Sequence, residues 1–408
     1  MKYKLKTMLV ALILAFSLYA QESKLIELVE SIPSETELDM PDIRNTQDVM
    51  LEMINQADRY IDIETFYISE KPESMLSPIL SALTAAAERE VKIRIISDAV
   101  FYEKYPETLD ALNKKANIEV RIIDFNEIAG GVMHAKYFVV DRRYLFLGSQ
   151  NWDWRSLEHI HELGVRVHDH VLSLAFTRLF NMDWKLAQQP KKQPVLEKNL
   201  TLTPIELLDK DRTVKVLPLF TPENLMPYSN LWTEKHLLDL IQYAKEFISL
   251  QLLTYSPTTK SGSFYPPFHQ ALIDAAGRGV KVRLLISDWS KRKPMIDYLK
   301  NLAMIENIEI RLSTIPESSK GHIPYARVDH CKYMVVDNER FWIGSANWSH
   351  SYFHQSRNAG LLVIDALTSR NVEAFFLNAW QSPYAYPVDP KTDYVPPIIG
   401  EKTHQESH

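Results

Sequence analysis

The chain contains one cysteine in 408 residues, Cys331. No intramolecular disulfide is available, so stability has to come from the packed core. Between His330 and Lys332, Cys331 is expected to be a small buried hydrophobe facing away from its neighbours, not a nucleophile. Apolar runs of membrane-spanning length are also wanting. Residues 8–18 are apolar but fall short of the roughly 20 that a bilayer requires. With Lys2, Lys4 and Lys6 before them and Tyr19-Ala20-Gln21 after, they predict a signal peptide over residues 1–20 and an exported protein. An excess of positive charge is missing too. The formal charge is −6, and −6 − 3 = −9 once the three lysines leave with the signal. A polyanion would meet general repulsion and would have to bind along a local basic path. Histidines at metal-ligand spacing are absent as well: His159, His161, His168 and His170 read as surface residues, and no metal or other cofactor is expected.

What the chain has is a repeat. HAKYFVVD at 134–141 returns as HCKYMVVD at 330–337, and GSQNW at 148–152 returns as GSANW at 344–348. One offset of 196 carries His134 to His330, Lys136 to Lys332, Asp141 to Asp337, Asn151 to Asn347 and Trp184 to Trp380. Two copies at one spacing predict a chain built of two equivalent halves. Around the motifs, helical periodicity over 48–57, 77–89, 107–115, 233–245, 268–278 and 294–303 alternates with apolar runs of strand length. The fold class is therefore α/β, two sandwich halves related by a pseudo-two-fold axis. The expected boundaries are 21–187 for the first half (motif about 128–155), a Pro-containing linker at 188–212, and 213–408 for the second (motif about 324–351). The tail after Ser382 is expected to be irregular. Because both motifs lie in one chain, a monomer suffices.

In an extended strand, residues i and i+2 share a face, so each half offers one imidazole and one ammonium together. Asn151 and Asn347, after the next short strand, would return beside them. Asp141 and Asp337 sit at strand ends, where a turn-holding role is expected. Facing halves would gather two histidines, two lysines and two asparagines around one pocket. That set suits a phosphodiester: a neutral histidine attacks phosphorus, a protonated one donates to the leaving oxygen, and the lysines and asparagines hold the non-bridging oxygens. The repeat breaks at one informative place. Glu162 maps to Asn358, so one half has a carboxylate where the other has an amide. A carboxylate on imidazole stabilises its charged form and an amide hardly does, so the two histidines should differ in basicity. Which histidine Glu162 serves is open at this level. His350 and His354 are further pocket candidates, and Trp152 and Trp348 are expected in the core.

The pattern His-x-Lys, four residues, Asp, then Gly-Ser-x-Asn is the signature of the phospholipase D superfamily. Segments outside it, among them 153–165, 279–289, 323–337 and 379–384, resemble the branch of mammalian lysosomal phospholipase-D-like 5′-exonucleases, members three and four. The resemblance covers roughly residues 40 to 390. It implies a phosphodiesterase working through a phosphohistidine without a metal, most closely a 5′-exonuclease on single-stranded DNA or RNA. It also implies a catalytic set of His134, Lys136, Asp141, His330, Lys332 and Asp337, with His134 as nucleophile and His330 as general acid. A phospholipid-directed phospholipase D or phosphatidyl transferase is the alternative substrate class, and a non-catalytic binding protein that keeps the fold is the second alternative.

Overall fold

The computed structural model describes residues 25–189, 200–209 and 212–401. The expected signal peptide and the middle of the expected linker lie outside them. Two mixed sheets carry the chain. In the first, the strand order is Arg44–Asn45, Ile26–Ser31, Ile160–His168, Tyr144–Gly148, Tyr137–Val140, Tyr60–Thr65, Lys92–Asp98 and Ile118–Ile123. In the second it is Ile205–Asp209, Arg212–Thr221, Asn358–Ile364, Arg340–Gly344, Lys332–Val336, Phe247–Leu252, Lys281–Ser287, Ile308–Ser313 and Ala385–Pro387. The three-strand parallel portions read as near-continuous apolar runs because helices cover them, and the motif strands pair antiparallel beside them.

Capping side chains mark where several helices start, including two long helices that periodicity did not announce. Asn45 accepts from the Gln47 N–H at 2.9 Å to start Thr46–Asn55. Asp169 and Asp365, also 196 apart, cap the long helices His170–Leu186 and Ala366–Gln381 by accepting from Leu172 and Thr368. Their apolar faces, ending in Trp184 and Trp380, join strands of both sheets in one continuous core. Thr46–Asn55 and Leu76–Glu88 pack in a second cluster on the outer face of the first sheet.

Two expectations change, and each half gains a strand that periodicity did not announce. Each half opens on a strand that precedes its first helix, Ile26–Ser31 or Arg212–Thr221, because each pairs with the strand that carries position 162 or 358. The stretch assigned as linker to residue 212 contains the strand Ile205–Asp209, whose buried Ile205 and Leu207 alternate with exposed Glu206 and Leu208. The tail after Ser382 is not wholly irregular: Ala385–Pro387 pairs with Ile308–Ser313.

The motif glycines bring strands together. Gly148 pairs with Gly164 and Gly344 with Gly360. A Cβ on Gly148 would stand 2.7 Å from the Gly164 Cα, which no side chain permits. The two halves then lock across the axis. Val328–Asp329 adds parallel to Ile160–His161, and a bridge joins Met133 to Arg357. Arg357, fully buried, crosses to Asp183 of the first half with bonds of 2.7 and 2.8 Å.

Candidate active site

The inter-half contacts set the geometry of both histidines. The His134 N–H donates to the Arg357 carbonyl at 2.8 Å, and the His330 N–H to the His161 carbonyl at 2.9 Å. The residues following those carbonyls are Asn358 and Glu162. Each therefore reaches the histidine of the opposite half: His134 Nδ1 lies 3.1 Å from Asn358 Oδ1, and His330 Nδ1 lies 2.9 Å from Glu162 Oε2. The question left open by the sequence is answered by a crossed arrangement.

The amide fixes a tautomer. Asn358 Nδ2 donates to the Tyr352 carbonyl at 2.7 Å, so its Oδ1 is the atom facing His134. His134 Nδ1 must then carry the proton, leaving the Nε2 lone pair free. Ser345 Oγ also donates to that Oδ1, and Thr221 Oγ1 accepts from the Asn358 backbone N–H. On the other side Glu162 takes a 2.6 Å bond from Ser156. Burial raises the Glu162 carboxyl to about 7 even though Lys332, Ser149, Ser156 and Lys136 pull it down.

Lys136 and Lys332 are buried beside the histidines and each donates to the carbonyl of its own histidine, Lys136 at 2.9 Å. Burial holds Lys332 down at about 7 and Lys136 well below the usual ammonium range, the latter helped by repulsion from Lys332. Burial and the two ammonium groups also hold both imidazoles well below their ordinary value. A dense, desolvated positive site of this kind is relieved when an anion enters it. Asn151 and Asn347 are buried, and the amide oxygen of each lacks a hydrogen-bond partner.

Asp141 and Asp337 are placed elsewhere. Asp141 accepts the N–H groups of Asp58, Arg59 and Tyr60, and Asp337 those of Lys245, Glu246 and Phe247. Both have positive φ, 50° and 54°, at the tight turn after the motif strand. Their carboxylates are spent on helix-to-strand loops, so the members of the motif that meet in the buried site are the two histidines and the two lysines.

Other assignments are corrected. His161 and His159 are buried, not surface residues. His161 Nδ1 meets Asp329 Oδ1 at 3.1 Å, Gln251 donates to the same oxygen at 2.7 Å, and the Cys331 thiol donates to the His161 carbonyl. Cys331 is buried as expected. Among the described residues, His161, Asp329 and Cys331 are the one group whose ligand-capable atoms lie within 4.8 Å of one another. His161 Nε2 and Asp329 Oδ2 keep no partner, and Asp329 and Cys331 flank His330 in the chain. His350 and His354 stack on each other and join Tyr265 and Glu234. Their link to the pocket runs through Tyr352, on the same short helix, whose ring stands edge-on to His134. Trp152 and Trp348 are in the core. Sequence reasoning missed Ser149 and Ser345, although they stand in the repeated Gly-Ser-x-Asn. It also missed Thr221 and Ser156, for which no local signal exists.

Comparison with known proteins fixes the family. The family model described as "Cardiolipin synthase, PLD-like domain" matches residues 50–184 and 237–380. The 5′-3′ exonuclease PLD3 of Rattus norvegicus is 33% identical over 90% of this chain and 81% of that protein. The chain belongs to the phospholipase D superfamily. It is a phosphodiesterase hydrolase of that superfamily. Phospholipase D Z of Dictyostelium discoideum is 29% identical over 89% of this chain and 90% of that one. The phosphatidylserine synthase of Haemophilus influenzae has the same fold, with a TM-score of 0.61 over 84% of this chain and 85% of that chain at 12% identity.

Proposed function

We propose that this superfamily member is a 5′-exonuclease on single-stranded DNA or RNA that works through a phosphohistidine on His134. The crossed contacts carry the mechanism. His134, held neutral with Nε2 free by Asn358, attacks phosphorus. His330, whose charged form is favoured by the Glu162 carboxylate, protonates the leaving oxygen and then activates water against the phosphohistidine. Lys136, Lys332, Asn151 and Asn347 hold the non-bridging oxygens, where charge builds up in the transition state.

The nucleic-acid reading rests on the rat relative, named an exonuclease, and the phospholipid reading on the Dictyostelium relative, named a phospholipase D. Export through the signal at residues 1–20 and action as a monomer belong to the same proposal; N-terminal sequencing of the secreted protein and its sedimentation check them. The substrate test incubates the protein and its His330→Ala variant, with EDTA, at pH 5 and pH 7.5 on 3′-labelled single-stranded oligonucleotides. Stepwise shortening from the 5′ end by the unaltered protein alone is the expected result. Inertness toward every oligonucleotide, with release of phospholipid head groups, would transfer the substrate to lipid.

A further inference from the structure

Many large aromatic side chains are buried outright, among them Phe125, Phe138, Phe176, Phe180 and Phe220. Four that touch one another beside the pocket are not. Phe66, Tyr67, Phe101 and Tyr105 are each half-buried. Phe66 stands 4.8 Å from the His134 ring, edge-on, and lies under the Lys136 ammonium at 5.0 Å. Phe66 contacts Phe101 at 4.0 Å, Phe101 stacks on Tyr67 at 5.3 Å, and Tyr67 meets Tyr105 at 5.3 Å. At the far end Lys104 sits over Tyr105 at 5.3 Å and over Tyr325 at 4.6 Å. Tyr325 comes from the second half and is 41% exposed. A continuous run of rings therefore leads through the first half from a catalytic imidazole to an outer lysine, which also meets Tyr325 across the junction of the halves.

We infer that this run is a stacking track for the bases of a single-stranded nucleic acid whose scissile phosphate lies between His134 and His330. The inference rests on the nuclease reading and extends it to how the strand is held. Half-buried rings joined by tilted and stacked contacts leave their outer faces and edges to a chain that comes to them, and every base has a face to offer in return. A lipid surface would need apolar groups that protrude, and these rings are recessed. The track is not a basic path: exposed Glu103 and Glu107 flank Lys104. Stacking therefore carries the contact, and charge contributes little. That suits a chain with a formal charge of −6, on which a strand could not be held by general attraction.

The test is the dependence of KM on oligonucleotide length, from two to about twelve nucleotides, for the unaltered protein, Tyr105→Ala and Lys104→Ala. A small chromogenic phosphodiester serves as a control for folding and chemistry. The unaltered protein should show KM falling as nucleotides are added. Tyr105→Ala should raise KM for long oligonucleotides about 5- to 150-fold, the effect of losing one stacked base. It should leave kcat, the dinucleotide and the chromogenic diester unchanged. An oligonucleotide with abasic sites at the stacking positions should behave on the unaltered protein as the intact one does on Tyr105→Ala. Lys104→Ala should change KM less than Tyr105→Ala. Cleavage with the same KM at every length, or an equal loss on short and long substrates, overturns the track while leaving the nuclease reading intact. Inertness toward all oligonucleotides overturns both. Binding to phosphatidylserine vesicles that Tyr105→Ala abolishes would make the rings a membrane contact and overturn the track.

Discussion

Replacing Glu162 with Gln gives both histidines an amide and removes the difference between them. Glu162 is fully buried, and its Oε2 lies 2.9 Å from His330 Nδ1. A buried hydrogen bond to a charged partner contributes about 1.5–3 kcal/mol. If His330 must carry a proton to reach the transition state, losing that bond slows the reaction about 10- to 150-fold. The pH profile gives a second, independent readout. Burial raises the Glu162 carboxyl to about 7, while His330 on its own is held below its ordinary value by burial and by Lys332 and Lys136. The pair shares a proton that is present below about pH 7 and lost above it. For the unaltered protein kcat/KM should therefore fall as pH rises through about 7. In Glu162→Gln the falling limb is set by His330 alone and should move to lower pH. The assay is kcat/KM on a chromogenic phosphodiester from pH 4 to 9. A variant with near-parental rate and its limb still near pH 7 would refute the assignment of His330 as the protonated partner.

Asn358→Asp makes the converse change: a carboxylate on His134 Nδ1 should favour its imidazolium and cut kcat at the acid end of the pH range, which the same profile reads. Asp141→Ala removes the acceptor of three backbone N–H groups and puts alanine at positive φ, so it should cost about 2–4 kcal/mol in urea unfolding while folded molecules keep kcat. Glu30 is buried, accepts from the Met40 N–H, and is raised to about 8 from an ordinary 4.5. Its folded pKa lies above its unfolded one, so its contribution is best below pH 4.5 and is lost as pH rises to about 8, with a ceiling of about 5 kcal/mol. Glu30→Gln should therefore gain stability relative to the unaltered protein across that window, and a difference independent of pH in urea titrations would contradict this. Asp183→Asn leaves the fully buried Arg357 without its carboxylate and should cost about 3–5 kcal/mol in the same unfolding measurement.

Much of this was legible in the sequence because it is encoded by period and repetition. The 196-residue offset carried His134 onto His330 and Gly148 onto Gly344, and the alternation of helix and strand was read from periodicity. What could not be read depends on tertiary pairing. Ile26–Ser31 is a strand only because Ile160–His168 lies beside it, and Ile205–Asp209 hides behind a proline-containing stretch. The partner of Glu162 is decided by backbone bonds between halves, from His330 to the His161 carbonyl, which no local pattern announces. His161 looked like a polar surface residue because its burial depends on Asp329, 168 positions away. The run from Phe66 to Tyr105 likewise joins a strand end to a helix and loop through space, and its spacing fits neither the helical nor the strand period.

The most direct test of the central claim is the site of the covalent intermediate in His330→Ala. With a p-nitrophenyl phosphodiester the leaving group departs without a general acid, so attack can proceed, but the base that activates water is gone. Intact-mass and peptide mapping of the acid-labile adduct should find one phosphoryl group per chain, still carrying the diester's second ester substituent, on His134, with a burst of one equivalent of p-nitrophenol. An adduct formed on His330 in the matching His134→Ala protein, with none on His134 in His330→Ala, would reverse the roles of the two histidines. Steady turnover without any adduct in either variant would contradict the phosphohistidine account.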